Sequence, residues 1–108
     1  MINRTLDQKT LDDIVRRIVA VAQPDKIILF GSAACGEMDP NSDVDLLIVK
    51  ETNDARGLAA RIYRQLRGIR VAVDAIVVAP ANVERYKDSH ALIIKPALRE
   101  GTVVYEAA

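Results

Sequence analysis

Three polar features of the 108-residue chain sit where packing alone would not put them. Asp43-Val44-Asp45 opens the apolar run Leu46-Leu47-Ile48-Val49, and Asp74 interrupts a second one, Val71-Ala72-Val73-Asp74-Ala75-Ile76-Val77-Val78. Gly31-Ser32 follows directly on a third, Ile27-Ile28-Leu29-Phe30. A carboxylate within an apolar strand is costly to bury unless it is paired or bound to a metal. Residues two apart in a strand share a face, about 6.5–7 Å apart, so Asp43 and Asp45 are expected to project together. Asp74 on a neighbouring strand would complete a cluster of three. Carboxylate oxygens are hard ligands suited to Mg²⁺ or Mn²⁺. Two such ions about 3.5–4 Å apart can clamp the attacking and leaving oxygens of a phosphoryl or nucleotidyl transfer. Gly31 lets backbone approach a ligand closely, and Ser32 with the N–H groups of a following helix start would make an anion site. Carboxylates for a metal beside a turn for phosphates are the minimum equipment for using a nucleoside triphosphate.

Each piece has a plainer reading. Gly-Ser is usually a turn, Asp-x-Asp can be a solvated strand end or an N-cap, and Asp74 can be a hydrogen-bonded structural carboxylate. Their occurrence together, in order and on the expected elements, favours chemistry. Two rival motifs fail on spacing. Asp39-x-Asn41-x-Asp43 begins like a calcium-binding EF-hand loop, but Val44 and Lys50 stand where Gly and Glu are required. Gly31 and Gly36 have the spacing of a Walker phosphate loop, but Glu37 stands where Lys is needed. Cys35 reads as a small inert filler, since no His or Lys is near in sequence to activate it. His90, the only histidine, lacks any partner pattern and reads as a surface or loop residue.

The elements that must position these groups follow from periodicity. Leu11, Ile14, Val15, Ile18, Val19 and Ala22 recur at helical spacing and predict a helix over Thr10–Ala22, with Thr10 as N-cap and Pro24 punctuating its exit. Lys26–Phe30 has the signature of a strand buried on both faces. A second strand is expected over Asp43–Val49. A second helix is expected over Arg56–Arg67, with Leu58, Ala59, Ile62, Tyr63 and Leu66 inward and Arg56, Arg64 and Arg67 outward. A third strand spans Arg70–Val78. Pro80 would open a helical turn at its first position. Ser89–Arg99 reads as a short helix and Thr102–Tyr105 as an edge strand. This order predicts an α/β or α+β domain with a small mixed sheet flanked by helices, continuous over residues 1–108.

Composition narrows the function classes. Fifteen Lys and Arg balance fifteen Asp and Glu, which argues against a general binder of nucleic-acid backbones. Half the residues are apolar, too many for intrinsic disorder, and aromatics are only 4%, so Val, Ile, Leu and Ala must build the core. One cysteine excludes an intrachain disulfide and an all-cysteine zinc site. No apolar run approaches a membrane span and the N-terminus lacks an apolar signal core, so a cytoplasmic protein is expected. Arg56, Arg61, Arg64, Arg67 and Arg70 read first as a solvated helix face with salt bridges and, alternatively, as a docking surface.

Phe30-Gly31-Ser32-Ala33-Ala34-Cys35-Gly36, Asn41-Ser42-Asp43-Val44-Asp45-Leu46-Leu47-Ile48-Val49 and Val73-Asp74-Ala75-Ile76-Val77 together resemble the minimal nucleotidyltransferases of the polymerase-beta-like superfamily. These small prokaryotic MNT proteins are often encoded beside a HEPN-domain ribonuclease toxin. The resemblance implies the polymerase-beta-like fold and a Mg²⁺- or Mn²⁺-dependent transfer of AMP from ATP. By the same resemblance, Asp43 and Asp45 are the metal-binding pair, and Asp74 is a third metal carboxylate that also serves as general base on the acceptor hydroxyl. Gly31, Ser32 and Ser42 would contact the nucleotide. Cys35 departs from the Arg or Lys of many relatives, which removes one charge that would neutralise the triphosphate. The implied role is an antitoxin that adenylylates a tyrosine of a HEPN partner. So small a chain leaves little room for an acceptor pocket, so another molecule should present the acceptor. The alternatives are a binding module that neutralises its partner by stoichiometric docking, or AMP transfer to a small molecule or RNA.

Overall fold

The computed structural model describes residues 8–30, 44–69, 71–86 and 101–107. Helix α1 covers Gln8–Ala22, strand β1 Lys26–Phe30, strand β2 Val44–Val49, helix α2 Ala55–Gln65, strand β3 Val73–Val78, helix α3 Pro80–Tyr86 and strand β4 Thr102–Glu106. The four strands form one sheet in the order β3-β2-β1-β4. β1 runs antiparallel to both β2 and β4, whereas β2 and β3 are parallel. The sheet is therefore mixed, as the order of elements predicts. The parallel pair is joined by a crossover carrying α2, because parallel neighbours cannot be connected by a tight hairpin.

Alternation along the strands sorts side chains onto two faces. Ile27 and Leu29 of β1, Val44, Leu46 and Ile48 of β2, and Val73, Ala75 and Val77 of β3 pack with α1 and α2. Leu11, Ile14, Ile18 and Ala22 of α1 meet Leu58, Ile62 and Leu66 of the α2 segment in the same core. Ile14, Ile18, Ile27, Leu46, Ile48 and Ile62 have no accessible surface. On the opposite face Ile28 and Leu47 form a smaller cluster with Phe30, Ile76 and Val78. Strands buried on both faces explain why β1 and β2 read as continuous apolar runs.

Element ends differ from the sequence expectations for local reasons. α1 starts at Gln8, so Thr10 lies within the helix rather than capping it; Gln8 Nε2 donates to Asp12 Oδ1 at 2.8 Å, a bond one turn apart that supports the extra turn. α2 starts at Ala55, after an N-cap at Asp54 whose Oδ1 accepts from the Gly57 N–H at 2.9 Å. It ends at Gln65, short of Arg67, because the chain turns at Gly68 (φ +87°), a left-handed conformation that glycine adopts without strain. β3 begins at Val73, opposite the first residue of β2, and the Val44 N–H to Ala72 carbonyl bond (2.8 Å) closes that end of the ladder. Pro80 opens α3 as expected, and β4 is an edge strand. The helix expected over Ser89–Arg99 lies outside the described residues. Among the described residues no helix is long and apolar enough to cross a membrane.

Candidate active site

Register brings two of the three expected carboxylates side by side. Asp45 of β2 pairs with Asp74 of β3, and Phe30, the last residue of β1, pairs with Asp45 from the other side. Phe30, Asp45 and Asp74 thus form one row across three strands, on the face away from the main core. The next row inward is Ile28, Leu47 and Ile76, which is apolar throughout. Neighbouring strands lie about 4.8 Å apart, so the two carboxylates rise from adjacent backbones. Like charges so close are unfavourable alone and favourable with a divalent cation between them. In donor type and backbone register Asp45 and Asp74 fit a hard cation such as Mg²⁺. Asp43, Gly31, Ser32 and Ser42 lie outside the described residues. Among the described residues no group of three His, Cys, Asp or Glu side chains converges on a metal site.

Asp74 is exposed, not buried. β3 is the edge of the sheet, so a carboxylate there stays hydrated although its sequence neighbours are apolar. Asp45, one strand further in, is half-buried. The burial cost that the apolar run implied is therefore largely absent at Asp74.

Tyr63 was expected to face inward, and the structure assigns its hydroxyl a different place. The residue is 43% exposed. Its hydroxyl accepts the Ala75 N–H at 2.9 Å and lies 3.3 Å from Asp74 Oδ1, to which it donates; the Ala75 carbonyl is 3.4 Å away. An edge strand presents N–H groups with no strand to accept them, and this phenol covers one. The same hydroxyl ties α2 to Asp74. Sequence reading missed it because Tyr63 fits the apolar helical period. The signal was a hydroxyl at a position where an aliphatic side chain would have packed as well.

Arg17 also holds the C-terminal end of α2. It donates to the carbonyls of Gln65 at 3.2 Å and Arg67 at 2.9 Å, the groups a helix end leaves without partners. Asp13 pairs with Arg16 and, at 3.3 Å, with Arg17. Hydrogen bonds from Arg16, and secondarily from Arg17, hold the Asp13 carboxyl below its ordinary value. Between Ala55 and Ile69 the chain carries Arg56, Arg61, Arg64 and Arg67 and no carboxylate. All four are exposed, and among the described residues none forms a salt bridge. The helix face is solvated as expected, and Arg70, the fifth of the expected series, lies outside the described residues.

Residues 12–108 match the family described as polymerase beta, nucleotidyltransferase. The chain belongs to that family. Solved structures agree with it in fold. A candidate nucleotidyltransferase from Sulfolobus solfataricus superposes with a TM-score of 0.60 at 22% identity, covering 91% of this chain and 78% of that one. A toxin–antitoxin crystallised with AMP-PNP superposes with a TM-score of 0.54 at 20% identity, covering 94% of this chain and 75% of that one. No curated protein matches significantly. The mixed sheet flanked by helices is the nucleotidyltransferase fold, and the chain is a nucleotidyltransferase by family.

Proposed function

We propose that this nucleotidyltransferase transfers AMP from ATP to a tyrosine hydroxyl of a protein partner and thereby acts as antitoxin to a HEPN-type ribonuclease toxin. The observation that carries the reading is the register of Asp45 against Asp74 at one end of a sheet of this family. The toxin–antitoxin neighbour crystallised with AMP-PNP supports both the nucleotide and the kind of partner. Asp43, Asp45 and Asp74 would hold Mg²⁺, which when bound supplies charge neutralisation at the α-phosphate. Gly31, Ser32 and Ser42 hold the triphosphate, and Asp74 takes the proton from the acceptor hydroxyl. The acceptor oxygen bonds to the α-phosphorus and pyrophosphate leaves. The exposed arginines of α2, Arg56, Arg61 and Arg64, offer a docking face for an acidic partner surface.

The test incubates the purified chain with α-labelled ATP, Mg²⁺ and lysate of its host, beside an Asp45→Asn control. A labelled protein band absent from the control is expected, and sequencing it names the partner and the modified residue. Label destroyed by ribonuclease would redirect the reaction to an RNA acceptor. No label, with a partner still captured by pulldown, would make the chain a stoichiometric binding module.

A further inference from the structure

The hydroxyl beside Asp74 is itself a tyrosine hydroxyl, the acceptor chemistry of the proposed reaction. We infer that Tyr63 is a self-modification site, accepting AMP from ATP bound at the same chain's carboxylates. The inference rests on the nucleotidyltransferase reading above and extends it to a second acceptor. A nucleophile and its base must lie within hydrogen-bond reach, with some looseness before substrate binds. Tyr63 Oη and Asp74 Oδ1 are 3.3 Å apart. The Ala75 N–H occupies one lone pair of the phenol oxygen at 2.9 Å, which fixes the oxygen in place and leaves the other lone pair for attack. Tyr63 is 43% exposed as a residue, so an adenylyl group can be accommodated in solvent. Asp74 shares its face with Asp45, so the hydroxyl lies beside the carboxylate row rather than on a remote surface.

In the step itself Tyr63 Oη bonds to the α-phosphorus of ATP, the bond from that phosphorus to the β-phosphate bridging oxygen breaks, and pyrophosphate leaves. The phenolic proton passes to the Asp74 carboxylate. The product is a phosphodiester between Tyr63 and adenosine, which removes the hydroxyl donor and covers Asp74. Self-modification therefore ends turnover on the modified chain.

The experiment treats the purified full chain with ATP and Mg²⁺, without lysate, and maps adenylyl groups by tandem mass spectrometry. One group on Tyr63 is expected, at a fractional rate independent of protein concentration, lost in Tyr63→Phe and reduced at least ~100-fold in Asp45→Asn. Circular dichroism of both variants confirms that they are folded. A metal-free companion uses the electrophilic analogue fluorosulfonylbenzoyl adenosine, which should sulfonylate the Tyr63 hydroxyl with loss of fluoride, and excess ATP added beforehand should prevent that labelling. An unmodified Tyr63, or adenylyl groups only on other residues, overturns the inference. If lysate protein is still labelled in a parallel reaction, the proposed function stands without it. If neither acceptor is labelled, both readings fall.

Discussion

Asp74 has two readings that stability separates. As a structural carboxylate it would stabilise the fold, and replacing it would cost energy. As one of two like charges on adjacent strands it would do the opposite. Its register against Asp45 on the adjacent parallel strand favours the second, since two like charges on neighbouring strands disfavour each other. Asp74→Asn keeps an oxygen to accept from Tyr63 and removes the repulsion. It should leave unfolding free energy unchanged or raise it by up to about 0.5 kcal/mol, measured by urea melts without metal. Nucleotidyl transfer should fall at least ~100-fold. A loss of more than about 1 kcal/mol would make Asp74 a structural group. The opposite trade is expected in the core. Ile62→Ala, at a side chain with no accessible surface, should cost about 2–5 kcal/mol.

At the scale of elements, α2 is held at its start and, by two separate contacts, at its C-terminal end. Asp54 caps its start, Arg17 its last carbonyls, and the Tyr63 hydroxyl joins it to β3. Arg17→Ala removes charge-assisted bonds to a helix C-terminus, where a cation is favourable, and should cost about 1 kcal/mol in denaturant melts. The Asp13 carboxyl adds a pH dependence whose sign is set. Arg16 and Arg17 depress its folded pKa below the ordinary 3.8. Its contribution is therefore fully present above pH 3.8 and is lost as pH falls through the lower folded value. Thermal melts of wild type and Asp13→Asn should differ at neutral pH and converge below that range. Curves that stay parallel in strong acid would remove Asp13 from the coupling of α1 to α2.

Across the whole molecule the charges cancel, yet they are not evenly spread. Fifteen cations meet fifteen carboxylates, while residues 55–69 carry four arginines and no acid. A neutral chain with one basic helix is suited to orienting a partner rather than to general attraction. Reversing one of these charges should spare the fold and weaken docking. Arg61→Glu is expected to change stability by no more than about 0.5 kcal/mol. It should also reduce capture of the labelled partner, and the loss should shrink at high salt, where surface charge is screened. Capture that is unaffected by Arg61→Glu at low salt would move the docking surface off this part of α2.

The apolar patterns of this chain determined most of its architecture. α1, β1, β2 and α2 could be read directly, because α1 and α2 bury residues at helical spacing while β1 and β2 are short apolar runs, too short for helices, that the sheet buries on both faces. The acidic pair of positions at Asp45 and Asp74 was also legible, because charge inside an apolar run is a local signal. Tertiary structure decided what no local pattern encodes. Strand order put β3 at the edge and so left Asp74 hydrated, and register set Asp45 against it. Helix-to-sheet packing brought Tyr63 from eleven residues upstream to the same carboxylate, and carried Arg17 to the carbonyls of Gln65 and Arg67. Hydrogen bonds of that kind depend on where separate elements meet, and their residues look like ordinary members of a helical period until the elements are packed.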